Sequence, residues 1–263
     1  MIRRRPLALV YDEIYSRRLN TPHLVAIDAA TSGNRSLAAK CCATIFSESS
    51  LDRLRKVVMS HSAPLRILDV GCGLGALARW FVEQRDCSVV AIDASRNAII
   101  QARERNGHPK IKFLKADYEG VNNRLGCFDL IVSLDALYLA QAPKQWLAKS
   151  RALLQPGSTL MFTFYASANG VAGANHSKKE WVSWLAQSAL EVVSFNNITR
   201  FWRQQMRERH GTRLSQAAKI LSSDGPIARS DLQVSQSLLQ NSESQGDLLS
   251  SISRYEVYAR RRW

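Results

Sequence analysis

Between residues 66 and 165 short apolar runs alternate with stretches whose apolar residues recur at helical spacing. The run at 66–70, Arg-Ile-Leu-Asp-Val, has the pattern of a buried strand with one carboxylate, Asp69, near its tip, and it breaks into glycines at 71, 73 and 75. Leu74, Leu77, Ala78, Phe81 and Val82 then fall on one face of a helix. Four more strands are predicted at Ser88–Asp93, Ile111–Asp117, Phe128–Ser133 and Ser158–Tyr165, the last entered through a Pro156-Gly157 turn. Helices are predicted over 95–106, with Ser95 as N-cap, and over 143–154, with Pro143 in the first turn. Farther on, Trp181, Trp184 and Leu185 mark the buried face of a helix and Glu191–Thr199 reads as a strand. Phe201–Met206 opens another helix, and Ser253–Arg260 alternates as a final strand. Strands alternating with helices specify an α/β fold with a mostly parallel sheet covered on both faces. Ligands of such sheets lie at the carboxyl ends of the strands, and Asp69, Asp93, Asp117 and Asp135 all collect there.

The same pattern divides the chain. Residues 1–62 form a helical N-terminal cap, 63–199 the α/β core, 200–252 a helical insertion or lid, and 253–263 a last strand that completes the sheet. A length of 263 residues with 46% apolar composition suffices for one full core with appendages.

Glycines between a strand and a helix let a ligand approach the backbone, and a nucleotide-like ligand is the natural guest. Gly71, Gly73 and Ala76 satisfy the dinucleotide pattern, and Asp93 stands where that pattern places its acidic residue. Asp69 argues the other way, because a carboxylate at the strand tip would repel a pyrophosphate seated on the helix N-terminus. S-adenosylmethionine carries an ammonium and a sulfonium and no phosphate, so the same carboxylate favours it.

Five blocks in register resemble the class I S-adenosylmethionine-dependent methyltransferases: Leu-Asp-Val-Gly-Cys-Gly-Leu-Gly (68–75), Val-Ala-Ile-Asp (90–93), Ala-Asp-Tyr (116–118), Phe-Asp-Leu-Ile-Val-Ser (128–133) and Leu-Leu-Gln-Pro-Gly-Ser (153–158). The resemblance implies a Rossmann-like, seven-stranded sheet whose last strand returns antiparallel. It implies a cofactor site in which Asp69 and the loop Gly71, Cys72, Gly73 and Gly75 hold the methionine end. Asp93 with Ala94 would bind the ribose, Asp117 would meet the adenine amino group with Tyr118 beside the ring, and Ser133 would lie close to the sulfonium. A helical insertion ahead of the last strand is similar to small-molecule methyltransferases of natural-product and quinone-type pathways.

The formal net charge is +14. It divides as +6 over 1–66, +3 over 67–199 and +5 over 200–263, so the excess lies in the two segments expected to roof the site. Such a field would steer an acidic substrate, a nucleic acid or an anionic surface, and a solvated, arginine-decorated exterior would carry the same charge. An RNA or DNA methyltransferase is the alternative to a small-molecule enzyme. Against it, Ser133-Leu-Asp-Ala-Leu-Tyr138 lacks the paired prolines of base-amine methylases and no Pro-Cys pair exists anywhere in the chain. The paired-glutamate loop of protein arginine methyltransferases is also missing.

Methyl transfer needs mostly alignment and exclusion of water; a hydroxyl or carbon acceptor needs a general base besides. The candidates are Asp135 and Tyr138 just after strand four and His176 after strand five, with Tyr11 or Tyr15 of the cap able to line the same cavity. The acceptor is expected to be a small, partly apolar and optionally anionic molecule, methylated at oxygen, nitrogen or carbon. The cysteines at 41, 42, 72, 87 and 127 form no C-x-x-C and have no histidine at ligand spacing, so no metal is expected. Reduced thiols and the lack of a signal-like or membrane-spanning run point to a cytoplasmic home.

Overall fold

The computed structural model describes residues 7–38, 40, 44–118, 121, 125–137, 140, 142–167, 176–240 and 248–262. Its spine is one sheet of seven strands: β1 (Leu65–Val70), β2 (Cys87–Asp93), β3 (Ile111–Lys115), β4 (Phe128–Ser133), β5 (Leu154–Ser167), β6 (Leu190–Asn197) and β7 (Ile252–Arg261), in the order β3-β2-β1-β4-β5-β7-β6. The first five run parallel, and β7 is antiparallel to both its neighbours. From β1 the chain winds outward to β3 and returns on the other side at β4. The order therefore reverses between β1 and β4, and a crevice opens at their carboxyl ends.

Alternation along each strand sends side chains to two separate cores. Leu65 and Ile67 of β1 pack with α4 (Glu48–Ser60), α5 (Ala76–Gln84) and α6 (Arg96–Asn106). Leu68 and Val70 pack on the opposite face with α7 (Pro143–Leu153) and α8 (Lys178–Gln187). Ser95 caps α6 as its position predicts, its Oγ accepting the Ala98 N–H at 3.1 Å. Asp129 is structural: its Oδ2 accepts the Arg66 N–H at 2.8 Å and ties the start of β4 to β1.

The expected fifth strand is longer than its apolar run. Leu154 already pairs with Phe128, and pairing resumes at Leu130 and Thr159 after a register shift. Pro156-Gly157 is thus an irregularity inside β5 and not a turn before it. Proline cannot donate to the ladder, and a bulge tolerates that loss.

At the N-terminus lie α1 (Leu7–Leu19), α2 (Pro22–Ala30) and α3 (Arg35–Ala38); after β6 come α9 (Thr199–Ser215), α10 (Ala217–Ser223) and α11 (Arg229–Gln240). These two groups grip each other. Leu24 and Ile27 of α2 pack with Ile220, Ala228 and Leu232. The Asp224 carboxylate accepts the His23 and Leu24 N–H groups at 3.0 and 2.9 Å, closing the first turn of α2. Asp28, buried, meets Arg213 at 2.5 Å, Arg18 at 3.5 Å and Arg209 at 3.7 Å. No helix among the described residues is long and apolar enough to cross a membrane.

Candidate active site

The loop leaving β1 is tied down by backbone bonds before any ligand is considered. Gly71 and Cys72 both donate N–H to the Ile92 carbonyl at 2.9 Å, binding the loop to the end of β2. Gly73 donates to Asp93 Oδ2 and Ser95 to Asp93 Oδ1, each at 2.9 Å. Asp93 therefore sets the shape of the glycine loop and the start of α6 at once. Gly71 adopts φ +74°, and a β-carbon there would fall 2.2 Å from the Ala136 β-carbon. Gly75 has a different role: a β-carbon on it would meet the Phe113 ring at 2.6 Å and Ala102 at 3.3 Å. It lets α5 sit close to β3 and α6 and lines neither hollow described next.

Two adjoining hollows open over this loop. The larger, ≈ 230 Å³, is bounded by Asp69, the loop residues Gly71, Cys72 and Gly73, Leu134 and Asp135, with Tyr11, Tyr15 and Arg18 of α1 above. The smaller, ≈ 60 Å³, has Asp93, Ala94, Ala116, Tyr118 and Ala136 on its walls. Tyr11, Tyr15, Gly71 and Asp135 border both. Helix α1 is held over them through α6: Asp12 Oδ1 accepts Ser95 Oγ at 2.6 Å and the Asn97 N–H at 3.1 Å, and Gln101 Nε2 donates to the Tyr15 carbonyl at 3.0 Å.

Asp69 dominates the electrostatics. It is 2% exposed, and its Oδ2 has no hydrogen-bond partner among the described residues. Burial, with the charge of Asp93 adding, pushes its carboxyl up to about 7, although the Ala78 N–H pulls the other way. Burial also raises Asp93, against the two N–H bonds that favour its charged form. Cys72 is held well above the ordinary thiol range by burial and by both acids, so it stays a protonated wall residue. Burial and the charges of Asp135 and Asp93 push the Tyr11 phenol up to about 12, which keeps it a hydrogen-bond donor.

Other expected site residues lie elsewhere. Asp117 is exposed and lines neither hollow, while Ala116 and Tyr118 on either side of it do; the alternation of the extended chain separates neighbours in this way. Tyr118 reaches the post-β4 segment, its hydroxyl donating to the Ala136 carbonyl at 2.8 Å. Ser133 is fully buried, and the next residues, Leu134 and Asp135, form the wall instead. His176 stands away from the cavity, edge-on against Trp184 at 4.7 Å and 3.7 Å from Glu180, where it belongs to the start of α8. Tyr138 lies outside the described residues, as do Cys41 and Cys42. Among the described residues there is no group of three or more His, Cys, Asp or Glu able to hold a metal ion.

Asp135 does line the cavity, at a left-handed φ of +52°. Its N–H donates to Thr163 Oγ1 at 2.9 Å, and its Oδ1 accepts from Arg254 at 2.5 Å and from Tyr165 at 3.3 Å. The fully buried Arg254 guanidinium holds this carboxylate in place as a hydrogen-bond acceptor at the cavity wall. Arg254 and Arg18 are additions that the sequence did not single out. Arg254 reads as an outward residue of an alternating strand, yet β7 lies between β5 and β6 and Arg254 is fully buried.

Residues 67–157 match the family described as a methyltransferase domain. Among curated relatives, the chain is 27% identical over 51% of its length to a phthiotriol/phenolphthiotriol dimycocerosates methyltransferase of Mycobacterium ulcerans, spanning 47% of that protein. It is 29% identical over 39% of its length to a malonyl-[acyl-carrier protein] O-methyltransferase of Enterobacter lignolyticus, spanning 39% of that protein. The matched region is thus less than half the length of these relatives. Among solved structures, the fold is similar to the [4+2]-cyclase SpnF, with a TM-score of 0.63 and 19% identity over 82% of this chain and 83% of that one. It is also similar to Haemonchus contortus phosphoethanolamine N-methyltransferase 2, solved with phosphomonomethylethanolamine and S-adenosylhomocysteine, with a TM-score of 0.68 and 16% identity over 83% of this chain and 54% of that one.

Proposed function

We infer that this chain is a class I S-adenosylmethionine-dependent methyltransferase, which moves a methyl group from that cofactor to a small organic acceptor. The observation that carries the reading is Asp69, a buried carboxylate on the larger hollow with an unpartnered oxygen. A buried polar atom without a partner is costly, and a ligand ammonium would satisfy it. A pyrophosphate there would meet two buried acids, Asp69 and Asp93, and be repelled.

The residues fit the cofactor. Asp69 would hold the amino group, and the glycine loop would take the methionine chain against its backbone. Asp93 spends one lone pair of Oδ2 on the loop and one of Oδ1 on Ser95, and retains others for ribose hydroxyls. Tyr118, Ala94 and Ala116 would flank the base. When bound, the cofactor supplies an activated methyl group. The chain's contribution is alignment and dryness: Tyr11 and Tyr15 cover the loop, while the Asp135–Arg254 pair fixes the wall between Leu134 and β5 where an acceptor would enter.

Thermal denaturation with S-adenosylhomocysteine, NAD and NADP in separate samples tests this. S-adenosylhomocysteine at 100 times its Kd should raise Tm by about 5–10 °C, from about 2.7 kcal/mol of binding linkage at roughly 2–4 °C per kcal/mol. A shift with a nicotinamide dinucleotide, or with none of the three, would refute the reading.

The Asp69 carboxyl gives a second test. A ligand ammonium favours the ionised form, and a group raised to about 7 is largely protonated at pH 6. Affinity for S-adenosylhomocysteine should therefore be flat above pH 8 and fall roughly tenfold per unit below pH 7. Titrations between pH 5.5 and 8.5 that gave one constant affinity would remove Asp69 from the ammonium site.

A further inference from the structure

A second, separate cleft lies on the same edge of the sheet. It has a volume of ≈ 630 Å³ and is lined by Asn197, Thr199, Arg200, Arg203, Arg207 and Ser253. The three arginines fall at i, i+3 and i+7 and so form one stripe along α9. The same helix buries Trp202, Arg209, His210 and Arg213. Arg203 is oriented by two bonds to the Ile252 carbonyl, from Nε at 3.2 Å and Nη2 at 2.8 Å. The other lining side chains are an amide and two hydroxyls, and no acidic residue lines the cleft among the described residues.

Its position ties it to the cavity. Asn197 ends β6, and Ser253 pairs with Ala166 of β5, one residue beyond Tyr165, which contacts Asp135. Asp135 follows β4, two strands from β7 and three from β6. At one strand spacing per step, the cleft lies about 10–15 Å from the Asp135 wall.

We propose that this cleft is a phosphate-ester subsite, which grips the anionic end of an acceptor whose methylated atom lies in the main cavity. The proposal rests on the methyltransferase reading and adds the substrate's class: an acceptor with a phosphate monoester or diphosphate about 10–15 Å from the reacting atom. Three guanidiniums lining one cleft concentrate positive charge that suits the several oxygens of a phosphate, whereas one fork already satisfies a carboxylate. A single-stranded nucleic acid would be expected to find aromatic platforms for its bases, and none lines this cleft among the described residues.

The test is calorimetric titration of the full chain, saturated with S-adenosylhomocysteine, with inorganic pyrophosphate, beside the double variant Arg200→Gln/Arg207→Gln. The wild type should bind pyrophosphate, and the double variant should bind it at least tenfold more weakly while its affinity for S-adenosylhomocysteine stays within twofold. Equal pyrophosphate binding by both proteins, or none by the wild type, overturns the subsite. Failure to bind S-adenosylhomocysteine with pyrophosphate binding intact overturns the cofactor reading and leaves the anion site standing. Coenzyme A in place of pyrophosphate distinguishes the sources. Tighter binding of coenzyme A, lost in the double variant, supports a pantetheine-borne acceptor, and equal binding supports a simple phosphate ester. A twelve-nucleotide RNA that binds far more tightly than either, with an affinity falling steeply as salt rises, would replace the proposal with a nucleic-acid surface.

Discussion

Gly71→Ala should leave a folded protein that binds S-adenosylhomocysteine at least 100-fold more weakly than the wild type. Two costs coincide at this position. The residue sits at φ +74°, where any side chain is strained by about 1–2 kcal/mol. The new methyl would also lie 2.2 Å from the Ala136 β-carbon. That neighbour has no rotamer to yield with, so relief must come from the backbone of either the glycine loop or the segment after β4. Both carry walls of the two hollows, and the Gly71 and Cys72 bonds to Ile92 are the first to be disturbed. Gly75→Ala is the informative comparison. Its methyl would strike the Phe113 ring between β3 and α6, on the side of the loop away from the hollows. It should lower Tm while leaving cofactor affinity within a few-fold. Calorimetric binding and thermal denaturation on both variants check the pair. Equal binding losses in the two, or full binding by Gly71→Ala, would mean that the loop is not the cofactor's seat.

The contrast between these glycines explains what was legible in the sequence. Local pattern carried the fold, because most of the parallel strands are short apolar runs bounded by a polar or glycine break, β5 with its internal Pro156-Gly157 being the exception. It carried much of the lining of the two hollows as well, since Asp69, Gly71, Cys72, Gly73, Asp93, Ala94 and Tyr118 sit at or next to strand ends. Spacing alone did not separate the glycine that faces the ligand side from the one that lets α5 pack, because both occupy the same motif. Nor did it separate Asp117 from its neighbours at the end of β3.

Part of the cavity was hidden for a different reason. Tyr11, Tyr15 and Asp135 were named from the sequence, but Arg18 of α1 and the Arg254 of β7 that grips Asp135 come from elements distant in sequence. Arg254 and Glu256 alternate with apolar residues on β7 and so resemble the solvent face of an edge strand. Both are fully buried in fact, Arg254 on Asp135 and Glu256 on Arg53 at 2.6 Å. A charged residue reads as exposed until the tertiary partner that neutralises it is known. His176 erred in the opposite sense: a loop histidine after a strand looked available, and the aromatic face of α8 had taken it.

Asp28 is the partner whose loss should cost most. Its carboxylate meets three guanidiniums, those of Arg18, Arg209 and Arg213, and both it and the latter two are buried. Asp28→Ala leaves that positive charge enclosed between α2 and α9 without compensation, which is costlier than the pair was ever stabilising. The expected loss is about 3–5 kcal/mol of unfolding free energy, or about 6–20 °C in Tm. The exposed pair between Asp52 and Arg55 supplies the control: Asp52→Ala should give a change too small to resolve. The clasp joins the N-terminal helices to α9, whereas Asp69, Asp93 and the glycine loop belong to the sheet. Asp28→Ala should therefore melt early and still be stabilised by S-adenosylhomocysteine. A loss below about 1 kcal/mol, as for a surface pair, would mean that the arginines turn out to solvent and that the clasp does not hold the roof. A normal melting temperature with cofactor stabilisation abolished would place Asp28 in the site rather than in the frame that supports it.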